Sequence, residues 1–215
     1  MRHNAVNKKV LLVFAKAPIA GHAKTRLIPK LGPQGAADLH EQLLNHTLNN
    51  VIDADSWDTQ LWCATDPEQT FFKQCAERYN IPLFQQQGAD LGERMYHALA
   101  IVLSNYKSAV LIGTDCPLLD QEKIAAVFED LTDDSLVITP AEDGGYVLIG
   151  ASRIEKEIFA KVDWGTSNVM SQTLRNIKQI NCDAKLHPQL WDVDLPEDLV
   201  RLYAIAEFNQ ALAIS

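Results

Sequence analysis

The segment KAPIAGHAKTRL, residues 16–27, follows the apolar run VLLVFA and gathers Lys16, Lys24 and Arg26 around Gly21. A short loop of this kind, at the end of a buried strand, can direct backbone N–H groups and side-chain cations to one point, as a phosphate requires. A solvated basic loop is the alternative reading, but Gly and Pro punctuation in the same loop favours the phosphate. It is not a Walker loop: Lys16 stands where that motif's first glycine would be, and no G-x-G-x-x-G follows any strand-like run.

Three carboxylates could complete such a site. Asp115, in GTDCP, ends the apolar run AVLIGT (109–114) and would face the same crevice as the basic loop. A carboxylate beside phosphates suits Mg²⁺ or Mn²⁺, which one or two protein carboxylates hold together with phosphate oxygens. The same aspartate could simply turn the chain before Pro117, and position alone leaves the two readings even. Asp194, in DVDLPEDL, forms with Glu197 the pattern of a capping box, and spacing favours that role. Asp143, in EDGGY, sits in a tight-turn signal that outweighs a ligand role, although Gly144 and its neighbour would let a ligand approach the backbone closely. Glu93 and Arg94 of LGERM read as exposed first-turn charges. WGTSNV reads as a helix start capped by Thr166 or Ser167, with Trp164 as a packed or stacking aromatic.

These residues need a scaffold. The chain has 215 residues, 47% apolar and 22% charged, with no Pro/Gly/Ser-rich divider, and one domain over 1–215 with a sizeable core is expected. A net charge of −9 argues against nucleic-acid binding and throws the local basic cluster into relief. The opening MRHNAVNKK has no apolar leader segment and no run approaches membrane-spanning length, so a cytoplasmic protein is expected. Cys63, Cys75, Cys116 and Cys182 form no C-x-x-C pair or zinc spacing and read as buried thiols.

The wholly apolar runs VLLVFA and AVLIGT predict strands covered on both faces. Between and after them, helical periodicity alternates with further strands at QLWCAT, IPLF and LVIT. Helices are predicted from Gly32-Pro33 through Ile52, from Asp66-Pro67, over 90–106, from Asp120, and from Pro196 through Leu212. YVLIG follows LVIT after only a short turn, so those two strands should be antiparallel. The prediction is a three-layer α/β/α domain with a mixed, mostly parallel sheet and ligands beyond the carboxyl ends of its central strands.

Taken in order, K-x-P-x-x-G-x-x-K-T-R-L, D-L-G-E-R-M, G-T-D-C-P, E-D-G-G-Y-x-L-I-G, W-x-T-S and D-V-D-x-P-E-D-L resemble the glycosyltransferase-A-like DUF2064 proteins, from about Val10 to about Leu202. That family is grouped with the nucleotide-diphospho-sugar transferases, beside molybdopterin guanylyltransferases and sugar-nucleotide pyrophosphorylases. The resemblance implies that Asp115 is a metal ligand and Asp194 a second one, with Mg²⁺ or Mn²⁺ as the ion. It implies phosphate contacts from Lys16, Lys24 and Arg26, and the expected nucleotide-binding set adds Gly21, Arg94 and Gly144. Leu195 departs from relatives that have threonine there, removing one hydroxyl contact. The function implied is glycosyl transfer from a nucleotide sugar, with Lys24 and Arg26 neutralising the leaving phosphate and Asp143 orienting or deprotonating the acceptor. Nucleotidyl transfer from a triphosphate to a phosphorylated acceptor is the second expectation, and a non-catalytic nucleotide-binding module the third.

Overall fold

A computed structural model describes residues 9–213. The opening stretch MRHNAVNKK lies outside them, apart from Lys9. Strand β1 (Lys9–Ala15) leads through the basic loop into helix α1 (Ile28–Val51), followed by β2 (Asp58–Cys63), α2 (Thr70–Tyr79), β3 (Leu83–Gln85), α3 (Leu91–Leu103) and β4 (Ser108–Ile112). Then come α4 (Gln121–Asp130), β5 (Leu136–Pro140), β6 (Tyr146–Ala151), α5 (Val169–Gln179), β7 (Ala184–Leu186) and the short α6 (Asp198–Leu202). The strands form one sheet in the order β3-β2-β1-β4-β6-β5-β7. Only β6 is antiparallel to its neighbours, pairing Leu111 with Ile149 on one side and Ile138 with Ile149 on the other.

Side chains of β1 alternate between two cores, which is why its sequence is apolar throughout. Leu11 and Val13 pack with Leu44, Leu48, Phe72 and Val127 under α1, α2 and α4. Val10, Leu12 and Phe14 pack with Met95, Leu99 and Ile177 under α3 and α5. Burying each Leu or Val of this set contributes about 1.5–3 kcal/mol. The chain builds leftward from β1 to β2 and β3, then crosses to place β4 on the other flank of β1. The strand order therefore reverses between β1 and β4, and the loops leaving those two strands flank the crevice where open α/β sheets bind ligands. The basic loop leaves β1 and GTDCP leaves β4.

Several boundaries differ from the sequence expectations. Helix α1 begins before Gly32, which takes φ +72° and kinks it, so that Pro33 restarts the helix beyond the kink. Asp66-Pro67 makes a turn, Asp66 Oδ1 accepting from Glu68 N–H at 2.9 Å, and α2 starts three residues further on. The terminal segment is not one long helix. After α6 it tightens into a 3₁₀ turn, Ala206–Ala213, which brings Phe208 to 4.9 Å from the His46 ring of α1. Leu212 is outside the described side chains. Cys182 is only partly buried, unlike the other three cysteines. Among the described residues, no helix is long and apolar enough to cross a membrane.

The turn between β5 and β6 leans on the loop before α5: Met170 N–H donates to Gly144 C=O at 2.8 Å. Gly144 has φ +90°, and a methyl there would overlap the Ser167 carbonyl. Gly144→Ala should therefore lose at least about 1–3 kcal/mol from the clash and the strained backbone together, measured by urea denaturation. A variant as stable as the parent would show that this contact yields freely.

Candidate functional site

The loop after β1 is held from below by two buried alanines, Ala17 and Ala23, and by bonds from His22 and Ala23 N–H to Ile19 C=O at 2.9 and 3.0 Å. Gly21 takes φ +83° at its exposed tip, with nothing within 4 Å of where a Cβ would stand. Lys24 then adopts the left-handed conformation, φ +47°, and turns its side chain inward until only 4% of it is exposed. Its ammonium lies 2.7 Å from Asp115 Oδ1 and donates to the Val193 carbonyl. Val193 N–H in turn donates to Asp115 C=O at 2.8 Å. The opening loop, the end of β4 and the DVD segment are thus tied at one point.

His40 of α1 completes this junction. Its Nε2 lies 3.1 Å from the Lys16 carbonyl and must donate to it, which leaves Nδ1 as an acceptor, 4.0 Å from Asp115 Oδ1 and without a hydrogen bond. Burial lowers the His40 pKa, Lys24 adds to the effect, and Asp115 opposes it. Burial alone would raise the Asp115 carboxyl, but Lys24, helped by His40 and Lys16, outweighs that and holds it below the ordinary carboxylate range. Asp115 is nonetheless half exposed with Oδ1 buried, so its open surface lies on the remainder of the carboxylate.

Arg26 pairs with Asp194. The carboxylate of Asp194 does not cap α6; instead Asp198 Oδ2 accepts from the N–H groups of Asp194 and Leu195 at 2.9 and 2.7 Å. Asp198 thus stabilises the segment that the sequence pattern assigned to an Asp194–Glu197 box. The 3₁₀ turn Thr25–Leu27 has no side-chain cap; Leu27 N–H donates to Lys24 C=O at 2.8 Å and Ile28 N–H to Thr25 C=O, while the N–H groups of Thr25 and Arg26 have no partner among the described residues.

Asp143 Oδ1 accepts from Gly145 N–H at 2.8 Å, so the turn role read from EDGGY is present. The same residue also lines a cleft of about 240 Å³ at the ends of β4 and β6, together with Phe14, Met95, Tyr146, Trp164 and Asp192. Asp192 was not among the sequence candidates. The signal was the alternation in D-V-D: Val193 is fully buried, while the carboxylates on either side of it stay partly exposed. Burial, then the charges of Asp143 and Asp115, push the Asp192 carboxyl up to about 6 against the pull of Lys24. Arg94 is not brought to the loop: its Nε donates to Gly88 C=O at 3.1 Å and secures the turn before α3. Gly144 meets the Ser167 loop.

Among the described residues, no three His, Cys, Asp or Glu side chains form a ready metal cage. The donor set still fits a hard cation that keeps water and phosphate ligands, because Asp115 has an open carboxylate surface and Asp192 carries excess negative charge around it.

This mixed sheet, with a basic loop and a carboxylate on either side of its switch point, is the nucleotide-diphospho-sugar transferase fold. The chain belongs to the DUF2064 family, described as uncharacterized protein conserved in bacteria, whose model matches residues 47–166. A Desulfovibrio desulfuricans G20 protein, provisionally described as a nucleotide-diphospho-sugar transferase, is 25% identical with a TM-score of 0.85 over 97% of this chain and 95% of its own. A cytidylyltransferase from Leptospira borgpetersenii shares the fold at 13% identity and TM-score 0.60, over 94% of this chain and 89% of its own. So does a CMP:2-keto-3-deoxy-manno-octonic acid synthetase complexed with CTP, at 9% identity and TM-score 0.57, over 92% of this chain and 98% of its own. No curated protein matches the chain by sequence.

The raised Asp192 carboxyl makes a prediction with a definite sign. The folded state holds this proton more tightly than the unfolded chain, so ionisation costs stability, fully above about pH 6 and not at all below roughly pH 4. In metal-free buffer, Asp192→Asn should melt at a higher temperature than the parent at pH 7.5, and the gain should vanish near pH 4. Thermal unfolding across that range checks it; a shift of the same size at every pH would assign the effect to packing.

Proposed function

We propose that this protein is a divalent-metal-dependent transferase that binds a nucleotide-activated donor by its phosphates and transfers a glycosyl group from a nucleotide sugar. The observation that carries this reading is the Lys24 junction, which sets a basic loop and the Asp115 carboxylate on opposite sides of the sheet's switch point. The 25% identical neighbour, itself provisionally described as a nucleotide-diphospho-sugar transferase, supports it.

Lys16, Arg26 and the uncapped N–H groups of the 3₁₀ turn would grip the diphosphate, with Gly21 leaving room for it. Asp115, with Asp194, supplies the carboxylates that would hold Mg²⁺ or Mn²⁺; such an ion would add positive charge at the departing phosphate oxygens. Lys24 and Arg26 stabilise the same developing charge. Asp143 uses Oδ1 in its turn and retains Oδ2 to take the proton of an acceptor hydroxyl. The acceptor oxygen bonds to the anomeric carbon as that carbon's bond to the diphosphate breaks, and a nucleoside diphosphate leaves.

Nucleotidyl transfer is the second reading, favoured by three cations on one loop, which suits a triphosphate. Lys24 and Arg26 are paired with Asp115 and Asp194 under either reading, so these pairs do not separate the two. Product analysis separates the two, since glycosyl transfer releases a nucleoside diphosphate and nucleotidyl transfer releases pyrophosphate.

Two outcomes are expected. Asp115→Asn should abolish the Mg²⁺-dependent part of nucleotide binding, measured by calorimetry, while its melting transition stays cooperative; unchanged affinity with Mg²⁺ would remove Asp115 from the ion site. Arg26→Ala should weaken nucleotides by roughly one to two powers of ten, more with each added phosphate, and leave free nucleosides unaffected. Arg26→Lys should restore only part of that loss, because an ammonium lacks the two parallel donors of a guanidinium. Losses independent of phosphate count would make the loop a plain basic surface.

A further inference from the structure

The apolar cleft lies on the α3–α5 side of the sheet, and the basic loop on the side of α1. Resting on the transferase reading, we propose that this cleft binds the acceptor, and that the acceptor is an uncharged molecule presenting an apolar ring face and a hydroxyl, not a phosphorylated one.

The lining carries the argument. Phe14, Met95, Tyr146, Leu148 and Trp164 form walls without a lysine, arginine or histidine, and the charged lining residues are Asp143 and Asp192 alone. A phosphate placed here would meet two carboxylates and no cation, since Lys16, Lys24 and Arg26 belong to the opening loop and are absent from the lining. At about 240 Å³ the cleft is smaller than the roughly 300–1,000 Å³ of sites that enclose a drug-sized ligand, a size suited to one ring-sized group. Tyr146 and Trp164 meet edge to face at 6.4 Å and 82°, an arrangement that offers flat apolar surface to a ring. Leu91, 45% exposed, extends that surface to the rim.

The walls are set by close approaches, which makes the shape specific. A methyl on Gly92 of α3 would come within 2.6 Å of Trp164 Cζ2, so only glycine lets the indole lie against the helix. Trp164 Nε1 is buried without a hydrogen bond, whereas Tyr146 Oη lies against the buried Thr173 hydroxyl of α5. The indole N–H can donate, and a neutral hydroxyl or ether oxygen would satisfy it where an apolar ligand would not. Asp143 closes the mouth, positioned for an acceptor hydroxyl.

This assignment separates the two chemistries left open above. Nucleotidyl transfer to a phosphorylated acceptor needs an anion in the acceptor position, and the cleft opposes one. Glycosyl transfer to a neutral hydroxyl needs only what the cleft holds.

The test uses 2-phenylethanol and 2-phenylethyl phosphate as matched probes on the full chain, read through the indole N–H resonance of Trp164, assigned by its loss in Trp164→Phe. The alcohol should move that resonance with an affinity at least tenfold above the phosphate ester's. Asp143→Asn combined with Asp192→Asn should narrow the gap, its fold checked by circular dichroism; Asp192→Asn alone serves if the pair unfolds. A phosphate ester that binds at Trp164 as tightly as the alcohol, or an indole that neither probe moves, overturns the proposal. A parallel titration with nucleoside diphosphate and Mg²⁺ keeps the underlying reading separate. Nucleotide binding with an unmoved indole would sink the cleft assignment and leave the transferase reading standing. Alcohol binding without any nucleotide binding would retain a neutral-ring cleft and remove the donor.

Discussion

A buried ammonium organises this protein. Lys24 is nearly excluded from water, and a charge so placed is tolerated only with strong acceptors around it. It has two, the Asp115 carboxylate and the Val193 carbonyl, contributed by the middle and the end of the chain. The left-handed backbone at Lys24 is a local cost that this pairing offsets. Because the Lys24 ammonium would be left a buried, unpaired charge without these acceptors, three distant segments hold one another in register where the crevice opens.

The crevice has two chemically unlike halves. On the α1 side stand cations and open backbone N–H groups, suited to phosphates. On the α3–α5 side stand aromatic and aliphatic walls, suited to an uncharged ring. Asp115, Asp143 and Asp192 run along the seam between them, close enough that their mutual repulsion, added to burial, lifts the Asp192 carboxyl. In the proposed reaction a cation at Asp115 would draw the donor's phosphates to the α1 side of that seam and leave the other side to the acceptor.

The family motifs other than the basic loop and GTDCP act largely as mutual supports. LGERM supplies the glycine against which Trp164 of W-x-T-S lies. E-D-G-G-Y supplies the glycine that meets Ser167, and the tyrosine that meets the same tryptophan edge to face. Arg94 secures the turn ahead of α3 through its bond to the Gly88 carbonyl. Each short pattern is legible as a turn or helix start, yet its glycine spacing makes sense only against a neighbour far away in the chain.

Much of the architecture was legible because it rests on local causes. Unbroken apolar runs such as VLLVFA and AVLIGT can only be strands covered on both faces, and a short Gly-Gly turn between LVIT and YVLIG dictates an antiparallel pair. Asp90 and Asp120 cap α3 and α4 through bonds to backbone three residues on, within reach of any sequence pattern. The gathering of Lys16, Lys24 and Arg26 on one loop is likewise a fact of the sequence. What those cations face was settled by tertiary structure. Nothing local says that Lys24 turns inward to Asp115, that Arg26 takes Asp194 away from its apparent capping box, or that Asp192 shares a cleft with Asp143. Those pairings join residues far apart along the chain, and their geometry depends on how the sheet orders its strands; a sequence records which charges exist, while the fold decides which of them lose their water and must find one another.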